Sequence, residues 1–326
     1  MKYYFTLIVT LFLLVSCNDT NKKEARILSD SSGNLNNLSV VIDNDSWNSE
    51  IGETIRDIFA APVDGLPQKE PLFNINQIPT SVFSDFATKN RIILKIEKSP
   101  TKALDFNNDT YAKPQKVVVV KGNSKTEIIE VLNENASKII TAFKDVELKE
   151  RKRQISKSLS SDKAIRDSLA ITIKFPSVYR IATAKNDFFW LRKDITTGTT
   201  NIMLYEIPIN SLTIDSTLVQ QVIQIRDSIG KQYIPGPTDG TFMKTEEAYS
   251  PFFYTTILDG KPTFEMRATW DVKDAFMAGP FVTYLIRDDE NNRYLVAEGF
   301  AFAPSVNKRD YMFELEAIIK SIRFLQ

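Results

Sequence analysis

The distribution of apolar and polar positions divides the 326-residue chain into four stretches. An apolar run from Tyr3 to Val15 comes first, and residues 18–37 are then rich in Asn, Ser, Asp and Lys. Beyond them, two long segments alternate between the two-residue period of strands and the 3.6-residue period of helices. We therefore predict a leader at 1–16, an anchor residue with a flexible tether at 17–37, a first folded unit at 38–160 and a second at 161–326.

The first unit combines buried strands with two helices. A capping box at Ser124 and Glu127 begins a long helix. Its end, from Lys144 to Lys157, is so charged that we expect it to be solvated or to bridge to the second unit. The predicted strands are 38–42, 72–78, 91–96 and 116–120, and the first helix carries Trp47, Ile51, Ile55 and Ile58 on one face.

The second unit is richer in strands. The acidic run from Asp288 to Asn292 predicts a hairpin turn, and Gly230 is expected to end a helix that carries Leu218 and Val222. A last helix carries Leu315 and Ile318 on its apolar face. We predict an α+β fold, in which each unit is an antiparallel sheet with helices packed on one face. The predicted strands are 171–175, 188–192, 202–207, 263–272, 281–287 and 293–303.

The amino-acid composition argues against several classes of function. The chain has 41 basic and 41 acidic side chains, which argues against a nucleic-acid partner, since a basic stripe would be expected for one. It has no histidine and one cysteine, which excludes a Ser-His-Asp triad and a thiolate metal cage. We predict no metal and no cofactor.

The leader predicts where the protein acts. A charged start followed by an apolar run of this length is typical of a signal peptide and is too short to span a bilayer. Leu14-Val15-Ser16-Cys17 resembles the bacterial lipobox, in which the cysteine becomes the new N-terminus and carries acyl chains. Ordinary signal peptidase requires a small residue at the position of Leu14, so we predict membrane attachment through acylated Cys17.

The residues after Cys17 bear on sorting. Lipoproteins kept in the inner membrane usually have Asp directly after the cysteine, whereas this chain has Asn18. Residues 18–24 are mixed in charge and differ from the acidic cluster that is typical of surface-exported lipoproteins of the Bacteroidota. We predict an outer-membrane lipoprotein on the periplasmic face.

One catalytic route needs no histidine. A pair of carboxylates can hydrolyse glycosides, and the candidates are Glu246, Glu247 and Glu265, which lie near aromatic residues such as Tyr249 and Trp270. Sugar rings stack on aromatic side chains, which favours this region. The alternative is that the aromatic strands are core and that adjacent glutamates point to opposite sides.

A Pro/Gly-rich loop from Tyr233 to Met243 is the main candidate for binding. Pro235 and Pro237 rigidify it, while Tyr233, Phe242 and Met243 offer apolar contact. Long, stiff loops often carry function. The alternative is a structural crossing between a helix and a sheet.

Several motifs together resemble a known family. These are the lipobox, the segment from Leu66 to Phe73, Tyr233-Ile234-Pro235-Gly236-Pro237, the hairpin from Phe281 to Pro304 and the last helix. The chain resembles an uncharacterised lipoprotein family of the Bacteroidota, domain of unknown function 4837, over nearly the whole mature chain. The resemblance implies neither an activity nor a site.

The second half also resembles the Mog1/PsbP-like sandwich. Ile173-Lys174-Phe175-Pro176 is similar to its first strand, and Glu316 to Phe324 to its last helix. The chain has Val178-Tyr179 where that fold often has Gly-Trp. Members of the fold mostly bind or assist assembly. We therefore expect a non-catalytic envelope protein that binds a protein or glycan partner, with a carboxylate-dependent glycan hydrolase as the alternative.

Overall fold

The computed structural model describes residues 27–325. The predicted leader, Cys17 and residues 18–26 of the predicted tether lie outside the described residues. The remaining part of that tether is already packed on the first unit. Ser29–Asp30 (β1) pairs in parallel with Ala112–Lys113, and the buried Asn36 donates its backbone N–H to Glu147 Oε2 at 2.9 Å. The folded body therefore begins before residue 38.

The first unit is built on a five-stranded sheet. Its further elements are β2 (Asn37–Val41), α1 (Asn44–Trp47), α2 (Glu50–Phe59), β3 (Asn74–Ile78), β4 (Ile92–Lys98), β5 (Ala103–Asn108), β6 (Ala112–Lys113), β7 (Lys116–Gly122) and α3 (Lys125–Ile155). The strand order is β3-β2-β4-β7-β5, and only β5 runs antiparallel to its neighbour. The prediction of an antiparallel sheet is therefore wrong for this unit. The helical crossover after β2 returns the chain to the end of the sheet at which β2 began, so β3 runs parallel to β2.

The helices of the first unit lie on one face of its sheet, as predicted. Helices α2 and α3 pack with the large core on that face. The other face carries a smaller cluster that is covered by Phe83 and Tyr111. The N-cap of α3 is confirmed, because Ser124 Oγ accepts the backbone N–H of Glu127 at 3.2 Å. The Glu127 carboxylate accepts the N–H of Asn123 at 2.7 Å, one residue before the position that a capping box predicts.

The second unit contains an eight-stranded antiparallel sheet, which confirms the predicted pairing there. Its elements are α4 (Lys163–Leu169), β8 (Ile171–Thr172), β9 (Arg180–Lys185), β10 (Phe188–Ile195), β11 (Gly198–Pro208), α5 (Leu218–Tyr233), β12 (Met243–Thr245), β13 (Phe252–Leu258), β14 (Lys261–Val272), β15 (Ala275–Asp288), β16 (Arg293–Phe302), α6 (Arg309–Ile319) and β17 (Arg323–Phe324). The order is β12-β14-β15-β16-β11-β10-β9, with β13 beside β12 on the same edge of β14. Strands β8 and β17 form a separate pair.

Helices cover both faces of this second sheet, so the prediction of one covered face is wrong here. Leu295 and Ala297 of β16 pack on the side of α6, whereas Val296 and Phe300 pack on the side of α5. Because successive strand residues point to opposite faces, an apolar run such as this one requires cover on both. The overall α+β class is confirmed.

Helix α5 does not end at Gly230, in contrast to the prediction. It continues to Tyr233. Gly230 instead allows β12 to approach the helix, since a methyl group there would lie 2.2 Å from the carbonyl oxygen of Met243. The close approach, not a helix end, explains this glycine.

The two units contact each other through the charged end of α3. Arg151 forms an ion pair with Glu314 of α6, and Lys152 Nζ donates to the carbonyl oxygen of Lys320 at 2.7 Å. This confirms the bridging expectation for that segment. Within residues 27–325, no helix has the length and apolar character needed to cross a membrane.

Candidate functional site

A cavity of about 520 Å³ lies on the α5 face of the second sheet, beside the Pro/Gly loop. Four aromatic side chains, from β10, β14 and β16, form part of its wall. Polar side chains from β10 and β11 line it as well. The residues considered below are Trp190, Arg192, Asp194, Thr199, Asn201, Trp270, Phe300 and Phe302, with Pro235, Gly236, Pro237 and Met243 from the loop.

Strand register brings the wall together from distant parts of the sequence. Arg192 of β10 lies opposite Asn201 of β11, which in turn lies opposite Phe300 of β16. Two residues further along the same pair of strands, Thr199 lies opposite Phe302. Because alternate residues share a face, these cross-strand neighbours all face α5 and the loop.

Trp270 is the most enclosed of the aromatic wall residues. Its side chain is 2 % exposed, and its ring lies 5.7 Å from that of Phe300 in an edge-to-face arrangement. Among the described residues, its indole Nε1–H has no hydrogen-bond acceptor. Leaving such a buried donor unpaired costs about 1–3 kcal/mol.

The polar groups of the cavity are held by hydrogen bonds to one another. Trp190 Nε1–H donates to Asn201 Oδ1 at 3.0 Å, and Asn201 Nδ2 donates to Thr199 Oγ1 at 3.0 Å. Arg192 Nε donates to Asp194 Oδ1 at 3.2 Å. The amide of Asn201 is therefore held beside aromatic faces, with the more exposed pair of Arg192 and Asp194 next to it, an arrangement that suits a ligand with both apolar faces and hydroxyl edges.

The Pro/Gly loop is a tight hairpin pinned to the sheet. Gly236 donates its N–H to the carbonyl oxygen of Thr241 at 2.9 Å, and Lys273 of the β14–β15 turn donates to that of Phe242 at 3.0 Å. A methyl group on Gly236 would lie 2.2 Å from Thr241 Oγ1 and 2.6 Å from Val272 Cγ1. Glycine is thus needed where the loop closes against β14 beside the cavity.

Three of the five residues predicted for binding line this cavity, namely Pro235, Pro237 and Met243. The other two lie elsewhere. Tyr233 stacks on Phe188 with ring centroids 4.0 Å apart and packs against the core. Phe242 has the ammonium groups of Lys231 and Lys273 each 5.7 Å from its ring.

Of the strand residues that line the cavity, the sequence singles out Trp270 as a ring for sugar stacking, whereas those of β10, β11 and β16 were not predicted. Trp190, Arg192 and Asp194 occupy alternate positions of β10. The available signal was one aromatic and two charged side chains on the same face of a strand, with the polar Asn201 on the next strand. Recognising it required the strand pairing.

The three candidate glutamates are not brought together. Glu265 is buried on the face of the sheet opposite the cavity and forms a 2.6 Å ion pair with Arg267. Glu246 pairs through its N–H with Thr269, four residues along β14 from Glu265, or about 13 Å at the usual strand rise. Glu247 is exposed and pairs with Lys244 at 3.1 Å.

Arg267 also contacts α6. It forms a 2.7 Å ion pair with Glu316. Burial alone would raise the pKa of Glu316, but Arg267 and Lys320 lower it to about 2. Glu265 therefore belongs to a buried ionic network between the sheet and α6. In the described part of the chain, no three Asp, Glu, His or Cys side chains are placed to hold a metal ion.

Solved structures give weak fold similarities. The Ran-binding protein Mog1p of Saccharomyces cerevisiae is 9% identical, and the match covers 48% of this chain and 91% of Mog1p with a TM-score of 0.28. LpqN of Mycobacterium tuberculosis, described as involved in cell envelope biogenesis, is 11% identical over 46% of this chain and 79% of LpqN, with a TM-score of 0.27. No curated protein matches the sequence significantly.

Two protein families match the sequence, and both are domains of unknown function. Residues 31–156 match DUF8532. The segment from Leu66 to Phe73 falls in this first match, so the resemblance inferred from it does not extend over the whole mature chain. Residues 158–321, half of the chain, match DUF4837, with the cavity and its loop inside the matched range. The chain is therefore a member of the DUF4837 family.

Proposed function

We propose that this protein is a lipid-anchored cell-envelope protein whose second unit binds a saccharide in the cavity beside the Pro/Gly loop, without catalysing its hydrolysis. One observation carries this proposal. Trp190 and Trp270 line the same cavity as the polar groups of Arg192, Asp194 and Asn201. Neither the rings nor the polar groups alone would indicate a saccharide.

The chemistry of a sugar fits these walls. A pyranose ring presents C–H groups on its faces and hydroxyl groups around its edge. Aromatic rings pack on the former, while carboxylate, amide and guanidinium groups pair with the latter. The cavity, at about 520 Å³, falls within the range of roughly 300–1,000 Å³ that is usual for small-ligand sites.

The carboxylates favour binding over hydrolysis. Glycoside hydrolysis requires two carboxyl groups about 5–9.5 Å apart on either side of the scissile bond. Among the described residues that line the cavity, Asp194 is the one carboxylate, and Arg192 forms an ion pair with it. Glu246, Glu247 and Glu265 lie outside the lining.

The proposed lipid anchor is inferred from the sequence. The lipobox ending at Cys17 supports acylation, Asn18 supports sorting to the outer membrane, and the mixed charge of residues 18–24 supports the periplasmic face. Mass spectrometry of the protein purified from its host membranes tests this. We expect a mature N-terminus at Cys17 that carries acyl chains, and an unprocessed, unacylated chain for Cys17→Ala.

Tryptophan fluorescence tests the saccharide site directly. The chain has three tryptophans, and Trp47 lies in the first unit. A Trp47→Phe variant therefore leaves the two cavity indoles as the tryptophan emitters. We expect saturable changes in its emission on titration with mono- and disaccharides from envelope glycans.

Two further variants locate the binding. Trp190→Ala and Asp194→Asn, each made in the Trp47→Phe background, should weaken the affinity by about tenfold or more, as expected for removing a stacking platform or a charged hydrogen-bond partner. Equal affinity in all three proteins, or no response to any saccharide, would overturn the proposed site. Chromatography of the same samples should recover the saccharide intact, whereas cleavage would favour the hydrolase alternative.

A further inference from the structure

A second cavity, of about 300 Å³, lies where the C-terminal ends of α3 and α6 meet the β8–β17 pair. It shares no lining residue with the aromatic cavity. Five cationic side chains line it, together with the hydroxyl residues Ser156, Thr172 and Ser321. The cations are Lys149, Lys152, Arg153, Lys174 and Arg323.

The positive charge of this basic cavity is only partly neutralised. Arg153 pairs with Glu150 at 2.7 Å, and Arg323 pairs with Asp259 at 3.3 Å. Lys149, Lys152 and Lys174 form no salt bridge with any described residue, and the described lining contains no Asp or Glu. Three positive charges therefore remain without a carboxylate partner.

The negative ends of two helix dipoles neutralise part of this positive charge. The C-terminus of a helix is equivalent to roughly −0.5 elementary charge, which favours nearby lysines. The two helices that end here, α3 and α6, together supply about −1. An excess of about +2 is left at the cavity.

The excess charge acts on the most enclosed lysine. Burial, followed by repulsion from Arg323, Lys320 and Lys174, lowers the pKa of Lys152 to about 8. Lys152 Nζ has a hydrogen bond to the carbonyl oxygen of Lys320 at 2.7 Å, a neutral partner that does not cancel its charge. A bound anion would relieve this repulsion.

We propose that the basic cavity binds a phosphate monoester. Such a group carries about −1.5 to −2 charge at pH 7 and three strong acceptor oxygens, which matches the excess charge and the lysine donors. A single carboxylate would neutralise only half of it. The phosphate could be carried by a lipid headgroup or by a soluble sugar phosphate, and the two share the chemistry that the cavity recognises.

Calorimetric titration of the full chain in neutral detergent at pH 7 tests the proposal. The probes are glucose 6-phosphate, glucose 6-sulfate and dihexanoyl phosphatidic acid, each titrated in excess glucose so that the sugar ring does not report on the aromatic cavity. We expect one phosphate monoester to bind per chain, with affinity that falls as salt is added. Glucose 6-sulfate, which carries one charge, should bind at least about tenfold more weakly than glucose 6-phosphate, as expected for weaker charge-assisted hydrogen bonds.

Paired variants assign the binding to this cavity. Lys149 and Lys174 are both exposed, so the double variant K149Q/K174Q should fold and should lose about tenfold or more in affinity because two charged donors are removed. The control K98Q/K125Q removes the same charge from exposed positions of the first unit and should bind as the wild type does. Melting temperatures of both pairs verify folding.

The probes also separate the two sources of phosphate. Binding of phosphatidic acid alone would identify a lipid headgroup, and equal binding of glucose 6-phosphate would identify the phosphate group itself; both support the site. Absence of binding by every phosphate probe, equal binding of the sulfate, or equal losses in the two double variants would overturn it.

Discussion

The carboxylate of Glu70 accepts a hydrogen bond of 2.7 Å from the backbone N–H of Lys308, and its second oxygen accepts one of 2.8 Å from that of Arg309. Glu70 belongs to the first unit, whereas these N–H groups begin α6 in the second unit. The first N–H groups of a helix lack partners within it, and the helix dipole favours a negative charge there. One unit therefore caps a helix of the other with a buried carboxylate.

Removing this cap should destabilise the fold. Glu70→Ala leaves two N–H groups at the start of α6 unpaired, and we expect it to lower the free energy of unfolding by about 2 kcal/mol, at the upper end for a lost N-cap. Urea denaturation monitored by circular dichroism measures the change. The neighbouring Lys69→Ala, at an exposed position, should cost less than about 0.5 kcal/mol. Equal effects of the two substitutions would contradict the capping role.

A second buried contact ties α5 to the sheet. Arg226 Nε and Nη2 each donate to Glu298 at 2.9 Å, and the side chains are 1 % and 0 % exposed. The hydroxyl of Thr283 donates to the same carboxylate at 2.6 Å, and the guanidinium lies 3.8 Å from the ring centroid of Phe281. Such a pair is costly to break, because one partner is left buried and charged.

Arg226→Met should therefore lower the free energy of unfolding by about 3–5 kcal/mol. The double variant Arg226→Met/Glu298→Leu removes both charges and should recover most of this loss. Denaturation of the two single variants and the double variant gives the coupling energy. Lys102→Met, which breaks an exposed pair with Glu130, is the control and should cost less than about 1 kcal/mol. A double variant less stable than Arg226→Met would show that packing, not charge, governs this site.

The loop side of the cavity can be displaced without changing the aromatic and polar side chains that the strands contribute to it. Gly236→Ala introduces a methyl group that collides with Thr241 and Val272, so the loop must move away from β14. We expect weaker saccharide binding with the same number of sites. Gly240 lies at the tip of the same loop with φ of +81° and no neighbour within 4 Å. Gly240→Ala should strain the backbone but leave the affinity unchanged. Equal losses of affinity in both variants would show that the position of the loop against β14 does not control binding.

A feature could be predicted when the residues that form it are consecutive in the sequence. The Pro/Gly loop could be found because its unusual residues are consecutive in the sequence. The cavity could not, since Trp190, Asn201 and Phe300 meet only through strand pairing, and a single sequence does not reveal the order of strands. The basic cavity depends in the same way on α3, α6 and β8 meeting.

The two errors in sheet architecture had signals in the sequence. In β4, Ile92, Ile93 and Leu94 are all buried, and such continuous apolar runs are typical of parallel strands covered on both sides. The run from Leu295 to Ala297 in β16 likewise indicated cover on both faces.

Lys152 makes stability and phosphate binding depend on pH in opposite directions. Its pKa is about 8 in the folded chain against an ordinary value of 10.5. Between these values the unfolded chain binds the extra proton, so the contribution of Lys152 to folding stability rises as the pH increases from 8 to 10.5. Lys152→Arg keeps the charge throughout this range and should lose that rise, as seen by urea denaturation at pH 7 and pH 9.5.

Glucose 6-phosphate should bind the wild type more weakly at pH 9.5 than at pH 7, because the folded lysine has lost its charge, whereas the arginine variant should lose less affinity over the same range. Identical pH dependence of the two proteins would show that Lys152 does not titrate in this range.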